Sequence, residues 1–207
     1  MTGGIGDPMA FLRTPIVDRE AELRGDRVYL RHPVSQDYAA WAELRAMSRH
    51  HLTPWEPKWS RDELTRSCFR RRLRQFYREL RDDQGYAYLI FQETGGALIG
   101  GLSISNVRRG VAQAASVGYW IGLPFIGQGL MTDAAGAAVR FAFDRLGLNR
   151  LEAACLPSNV ASARVLEKTG FVKEGRARRY LKINDQWQDH DLYAILRDDV
   201  TPAAAGS

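Results

Sequence analysis

Residues 117–134 read Val117-Gly-Tyr-Trp-Ile-Gly-Leu-Pro-Phe-Ile-Gly-Gln-Gly-Leu-Met-Thr-Asp-Ala134, a strand that runs through a glycine-rich loop into a helix. Glycines let the backbone approach a ligand closely, and a helix beginning near Gly129 turns its unpaired N–H groups and positive dipole end toward the loop. A pyrophosphate could bind there without any lysine. Asp133 and the lack of a Gly-Lys-Ser/Thr run argue against a nucleoside triphosphatase loop, and no G-x-G-x-x-G follows a strand, which weakens a dinucleotide fold. A tight turn without a ligand is the plainer reading of Gly-x-Gly, and it stays open on this segment alone.

Downstream, the small-residue helix runs from about Leu130 to Leu146 and stops at Gly147. Arg150 to Cys155 then reads as a short buried strand, and Asn159 to Thr169 as a helix ended by Gly170. Asn159 and Ser162 lie three apart, on one helical face near its N-terminal end; a cap and a surface residue are the plainer assignment. A final hairpin pairs Lys173–Ile183 with Trp187–Leu196 about Asn184-Asp185. Upstream lie strands at Arg27–Arg31, Ala87–Glu93, Leu98–Val107 and Ala115–Ile121, with Thr94-Gly95-Gly96 as a hairpin turn. Between the first two strands, Ser35 is the expected N-cap of a helix that turns Tyr38, Trp41, Ala42, Leu44 and Met47 inward. A loop with Pro54, Pro57 and Trp59 follows, then an arginine-rich amphipathic helix ending near Asp83-Gln84-Gly85, with Phe69, Leu73, Phe76, Tyr77 and Leu80 on its apolar face.

This order implies one α/β (α+β) domain: a mixed, mostly antiparallel sheet of about six to seven strands with helices on both faces. Its expected bounds are residues 25–199, between an N-terminal extension, residues 1–24, and a frayed tail, residues 200–207. The 207 residues are 45% apolar and 26% charged, an ordinary globular composition. No apolar run approaches the ~20 residues of a membrane span, and no secretory signal is visible. Only Cys68 and Cys155 are present, too few for a disulfide framework, so a cytoplasmic location is expected. Of the four histidines, His50 and His51 are adjacent and His32 and His190 isolated; none shows metal-ligand spacing, so no metal is expected. The net charge of +5 permits nucleic acid, a phosphorylated cofactor or plain solubility. Much of it sits on the helix carrying Arg66, Arg70, Arg71, Arg72, Arg74, Arg78 and Arg81, either a solvated face or an RNA-binding one.

Gly127-Gln128-Gly129 after a strand, followed by Asn159, Ser162, Gly170 and Phe171, resembles the GNAT N-acetyltransferases. Within that superfamily His51-Leu-Thr-Pro-Trp-Glu-Pro57, Ser105-Asn-Val-Arg-Arg-Gly110, Gly127-Gln-Gly-Leu-Met131 and Ile183-Asn-Asp-Gln-Trp-Gln-Asp-His190 are similar to the RimJ/RimL group of ribosomal-protein N-terminal acetyltransferases. The likeness spans about Arg24 to Leu196. It departs at Pro124, where the superfamily pattern has Arg or Gln, so one N–H and one side-chain contact are lost. The resemblance implies a GNAT domain with a splayed cleft for acetyl-CoA, in which Tyr119, Trp120 and Ile121 pair with the pantetheine arm. Ile126, Gly127, Gln128, Gly129 and Leu130 would then hold the pyrophosphate, and Asn159 would contact the pantetheine or its acyl group.

The implied reaction is direct attack of a neutral amine on the thioester, with the carbonyl oxygen polarised by a backbone N–H near Ile121 and Ser162 protonating the departing thiolate. Related enzymes carry a glutamate base after the Gly-Phe pair, where this chain has Arg178-Arg-Tyr-Leu-Lys182. Tyr180, Glu56 and Asp189 are the alternatives, or a water relay. Such a relay suffices for an α-amine of pKa ~7.7–8.0 and struggles with a lysine of pKa ~10.4, which favours an N-terminal acceptor. Trp55, Glu56 and Tyr180 are the expected acceptor-binding residues, with Trp59 and Trp187 either in the groove or pinning their segments. The acceptor implied is the N-terminal alanine of a ribosomal protein, free or on the ribosome, with a weak ribosomal-RNA contact and no membrane. Monomer and homodimer both fit. Two alternatives stay open: an acetyltransferase of small-molecule amines, and a non-catalytic ribosome- or RNA-binding module.

Overall fold

The computed structural model describes residues 22–200, so most of the expected extension and all but the first residue of the expected tail lie outside the described residues. Leu23–Arg24 (β1) and Val28–Arg31 (β2) open the chain, followed by helices Tyr38–Met47 (α1), Arg49–Leu52 (α2) and Arg66–Arg81 (α3). Strands Tyr86–Gln92 (β3), Leu98–Arg108 (β4) and Ala114–Ile121 (β5) form a meander, and Leu130–Arg140 (α4) crosses over to Arg150–Cys155 (β6). Val160–Lys168 (α5), the hairpin Val172–Ile183 (β7) with Gln186–Leu196 (β8), and Arg197–Val200 (α6) complete the fold. The sheet has eight strands in the order β1-β2-β3-β4-β5-β6-β8-β7, against the six to seven expected. The additional strand is β1, only two residues long, too short to show a period-two pattern, and its Leu23 side chain is buried.

Two apolar layers flank the sheet. One holds Leu30, Ile90, Ile99, Ile104, Ala134, Ala138, Leu151, Leu166 and Ile195, between the sheet and helices α4 and α5. The other holds Trp41, Leu44, Phe69, Leu73, Leu89 and Phe91, beneath α1 and α3. The pleat sends alternate residues of each strand to opposite layers.

Three local expectations are corrected. Ser35 does not cap α1: it opens a short 3₁₀ turn, and the carboxylate that ties this turn together is that of Asp37, which accepts the Val34 N–H (2.8 Å) and a bidentate pair from Arg31 (2.8 and 2.6 Å). Met47 and Tyr77 face solvent, 55% and 47% exposed. Each lies at the margin of its helix's apolar stripe, and Tyr77 uses its hydroxyl to reach the Pro33 carbonyl at 3.0 Å. The helix after Gly129 keeps α geometry only to Arg140; at Phe141 it widens by one residue, with the Leu146 N–H bonding the Phe141 carbonyl at 3.0 Å.

Candidate active site

The sheet opens where the parallel pair of β5 and β6 begins to diverge. Strand β5 pairs with β6 at Ala114↔Arg150, Ala115↔Leu151 and Ser116↔Glu152 and no further. Beyond Ser116, β5 stays on β4 as far as Gly100↔Ile121, while β6 stays on β8 as far as Cys155↔Asp191. A wedge therefore opens at the carboxyl ends of both strands, the place where an α/β sheet offers a ligand crevice. Helices α4 and α5 start at these two strand ends, so both positive helix termini face the mouth. The Gly122 N–H bonds back to the Ile99 carbonyl at 2.8 Å. Successive N–H groups of a strand point to opposite edges, so that of Ile121 points away from β4, into the wedge.

One wall is the glycine loop. Gly127 and Gly129 have φ of 73° and 75°, the left-handed backbone that glycine adopts without strain. The first helical turn of α4 thereby presents N–H groups that no preceding carbonyl can satisfy. Asp133 would place a negative charge in that turn, but its carboxylate is occupied by the N–H groups of Asp26 (2.9 Å) and Arg27 (2.8 Å). Arg27 also donates to the Gln128 carbonyl at 2.8 Å, which brings a guanidinium to the loop from a residue about a hundred positions away. Pro124, the departure from the superfamily pattern, braces the loop instead, because its carbonyl accepts the Gln128 side-chain amide at 3.0 Å. Ile126, Gly127, Gln128 and Gly129 are exposed and Leu130 is buried, so Leu130 can offer the site only its backbone.

Across the wedge, the Tyr119 hydroxyl lies 3.1 Å from Ser162 Oγ and 3.2 Å from the Ser162 carbonyl. This bond joins β5 to α5 over the gap between the strands. Burial holds the Tyr119 phenol well above the ordinary tyrosine range, with Ser162 offsetting part of the effect; it is a neutral hydroxyl at any physiological pH. Burial likewise pushes up the neighbouring Cys155 thiol. Asn159 caps α5, its Oδ1 accepting the Ser162 N–H at 3.1 Å, which leaves its NH₂ as the group it could offer a ligand. The Trp120 side chain is on the other face, beneath α1, where the Arg45 guanidinium lies 4.9 Å from its ring. Its contact with anything in the wedge is restricted to backbone.

Of the expected acceptor residues, Glu56 lies on that other face, beside Arg45. Glu56 is not a free carboxylate: Arg45, itself buried, donates to Oε1 at 3.1 Å and Oε2 at 2.6 Å, and Trp59 Nε1 donates to Oε2 at 2.7 Å. Glu56, expected to bind the acceptor and a candidate base, thus has its charge already neutralised by a buried partner. The Glu56 carbonyl also takes the Asn184 N–H at 3.2 Å, and Lys58 pairs with Asp185 at 2.7 Å, so the β7–β8 turn rests on this loop. Trp59 is buried and pins the loop, whereas Trp187 is 61% exposed. Tyr180 packs edge-on against His190 with centroids 5.9 Å apart. Among the described residues no hydrogen bond or ring contact joins it to Trp55 or Glu56, and no three His, Cys, Asp or Glu side chains cluster as metal ligands would. No helix of the described residues is long and apolar enough to cross a membrane.

Three features of the site escape the sequence: Arg27, Arg45 and the Tyr119–Ser162 bond. Arg45 had a signal, since it stands four residues after Trp41 and so shares its buried helical face.

Comparison with known proteins agrees with this geometry. A family model described as an acetyltransferase (GNAT) domain matches residues 27–172. The [ribosomal protein uS5]-alanine N-acetyltransferase of Escherichia coli (strain K12) is 34% identical over 183 residues, 88% of this chain and 94% of that protein. The probable N-acetyltransferase YjcK of Bacillus subtilis (strain 168) is 36% identical over 177 residues, covering 86% and 98%. Among solved structures, Mycobacterium smegmatis RimJ in complex with CoA-disulfide superposes with a TM-score of 0.80 at 32% identity, over 87% of this chain and 88% of that one.

Proposed function

Because the chain belongs to the acetyltransferase (GNAT) domain family and is accordingly an acyltransferase that uses acetyl-CoA, we propose that its acceptor is the N-terminal α-amine of a ribosomal protein, with alanine as the first residue. The observation that carries this reading is the state of Glu56. With that carboxylate held by Arg45 and Trp59, the expected base candidates come down to the Tyr180 hydroxyl and to Asp189, one oxygen of which already takes the Arg179 N–H at 2.9 Å. An amine that arrives neutral, or loses its proton to water, needs neither, and an α-amine does so far more readily than a lysine. The names of the relatives point to the same acceptor class.

The wedge fits acetyl-CoA, because a loop of backbone donors, a splayed strand edge and a hydroxyl pair follow one another along it. Acetyl-CoA supplies a thioester whose carbonyl carbon forms the new bond to the amine nitrogen while the C–S bond breaks. In our reading Ile126, Gly127, Gln128, Gly129 and Leu130 hold the pyrophosphate by their N–H groups, and Arg27 adds charge beside them. The free edge of Tyr119, Trp120 and Ile121 and the Asn159 amide hold the pantetheine arm. The Ile121 N–H faces the carbonyl oxygen, where negative charge develops. Ser162, backed by Tyr119, donates to the departing sulfur, and the amine proton leaves through water. Trp55 and Tyr180 contact the acceptor's first residue, while Glu56 orders the loop that carries Trp55. We place this activity in the cytoplasm, where an acceptor of that class is made.

The test of the acceptor is mass spectrometry of ribosomal-protein N-termini from cells with and without this protein. One N-terminus shifted by an acetyl group only in its presence is the expected result. An unchanged set, with acetyl transfer to small amines by the purified protein, would replace this reading with the small-molecule one.

The loop is tested separately. Gly129→Val puts a β-branched residue at φ 75°, with its Cβ 3.0 Å from Arg27 Nη2. The expected outcome is a destabilisation of about 1–2 kcal/mol from the left-handed backbone and a clear loss of CoA affinity by calorimetry. Undiminished affinity would show that the pyrophosphate is held elsewhere.

A further inference from the structure

The arginines of α3 divide into two sets that the sequence does not separate. Arg71 pairs with Asp62 at 2.6 Å, Arg72 with Glu63, and Arg81 with Asp82 at 3.0 Å. These are the cations that tie α3 to the segment before it and to its own end. The side chains of Arg70, Arg74 and Arg78 make no ion pair or hydrogen bond among the described residues, and all three residues are exposed. Arg66 continues the row and lies over the Tyr38 ring at 4.4 Å, also exposed. Four guanidinium groups thus recur every fourth residue, roughly 6 Å apart along the axis and drifting slowly around the helix. An open groove of 420 Å³ flanks the row, lined by Arg71, Arg74, Gln75, Arg78, Glu79 and Gln84.

A row of cations left unpaired while Arg71, Arg72 and Arg81 each hold a carboxylate is poised for a partner that brings its own regular negative charge. Arginine rather than lysine suits phosphate, because its planar fork binds two oxygens at once and is weakly hydrated. The row also lies on the layer that carries the acceptor loop: α3 and α1 share the cluster of Trp41, Leu44, Phe69 and Leu73, and the Arg71 and Arg72 pairs bind α3 to Asp62 and Glu63, just past that loop.

We propose that Arg66, Arg70, Arg74 and Arg78 form a docking surface for the phosphate backbone of RNA, which holds the acceptor mouth against a ribonucleoprotein particle. The reading rests on a ribosomal-protein acceptor, because that places RNA beside the amine. Docking of this kind is electrostatic and indifferent to sequence, so it sets where the enzyme works and leaves the chemistry in the wedge alone.

The test uses the full-length protein and a fluorescein-labelled single-stranded RNA of mixed sequence. The triple variant Arg70→Gln, Arg74→Gln, Arg78→Gln is compared with wild type from roughly 50 to roughly 200 mM KCl. Losing three contacts should flatten the plot of log affinity against log salt by about 2, so that wild type loses roughly tenfold to twentyfold more affinity over this range than the variant. The corresponding triple lysine variant keeps the charge and should keep most of the slope, which separates docking from a folding defect. Equal slopes for wild type and the glutamine variant would overturn the proposal, and so would equal competition by polyglutamate, which would make the surface one for acidic protein. Acetylation of a short free peptide should be the same in wild type and the glutamine variant. If wild type binds RNA with the expected slope yet acetylates no ribosomal-protein N-terminus, the acceptor reading fails and the docking surface stands.

Discussion

Replacing Arg45 by alanine should destabilise the protein by about 3 kcal/mol, at the lower end of what removing one partner of a buried ion pair costs. That loss corresponds to a fall of roughly 6–12 °C in Tm for a domain of this size. The Arg45 side chain is 6% exposed and the Glu56 side chain 21%, so the glutamate left behind keeps some access to water, which sets the lower figure. The guanidinium also lies 4.5 Å from the Trp59 ring and 4.9 Å from that of Trp120, and both rings lose a cation and the packing of its stem. The pair is costly to bury, however, since Arg45 Nε has no partner. A double variant Arg45→Met, Glu56→Gln removes both charges while filling the space, and should recover most of the lost stability. An Arg45→Ala protein that melts with wild type would show that the pair is solvated in solution.

Activity adds a second readout to the same variants. Glu56 holds the β7–β8 turn through its carbonyl and the loop around Trp59 through its carboxylate. Loosening it should raise KM for the acceptor while CoA affinity stays unchanged, because the Gly127–Gly129 turn is held by Arg27, which donates to the Gln128 carbonyl, and not by this pair. A matching loss of CoA affinity would mean that the variant has disturbed β5 as a whole.

Which parts of this arrangement can be read from sequence follows from the range of the interactions. The hairpin turns at Gly95-Gly96 and Asn184-Asp185 occupy left-handed backbone, with φ of 80°, 64°, 45° and 65°, and such turns announce themselves in residue type. The glycine loop is legible for the same reason, and the strand-helix-strand crossover follows from period and length. The wedge is not legible. It depends on where β5 stops pairing with β6, a matter of three residue pairs that no local pattern encodes. Trp120 is an instructive case: alternation along β5 already sends it to the face opposite Tyr119 and Ile121, so period two alone separates its side chain from the wedge. The Glu56–Arg45 pair spans a helix end and a proline-bearing loop, and the Tyr119–Ser162 bond spans 43 residues; both are products of the tertiary fold.

Ser162→Ala should lower kcat by ~10²–10⁴-fold, the range for loss of a positioned acid, with CoA affinity little changed. The variant is a clean probe because of a detail of the site. Tyr119 has a second acceptor in the Ser162 carbonyl at 3.2 Å, so removing Oγ leaves the tyrosine bonded and the β5–α5 link in place. Asn159 caps α5 through the Ser162 backbone N–H, which alanine retains. A fall in kcat therefore reports on the hydroxyl, and stability should stay close to wild type. Burial keeps the Tyr119 phenol protonated through the assay range, so no loss of rate between about pH 6 and pH 9 can be assigned to its ionisation. If the two hydroxyls act as one relay, Tyr119→Phe should cost little more when added to Ser162→Ala than Ser162→Ala costs alone. A kcat within about threefold of wild type would remove Ser162 as the acid, since a loss that small is far below the effect of general acid catalysis. The thiolate would then be leaving unaided, which the acidity of thiols, ~8.5 for a cysteine against water's far higher value, makes the next reading to test.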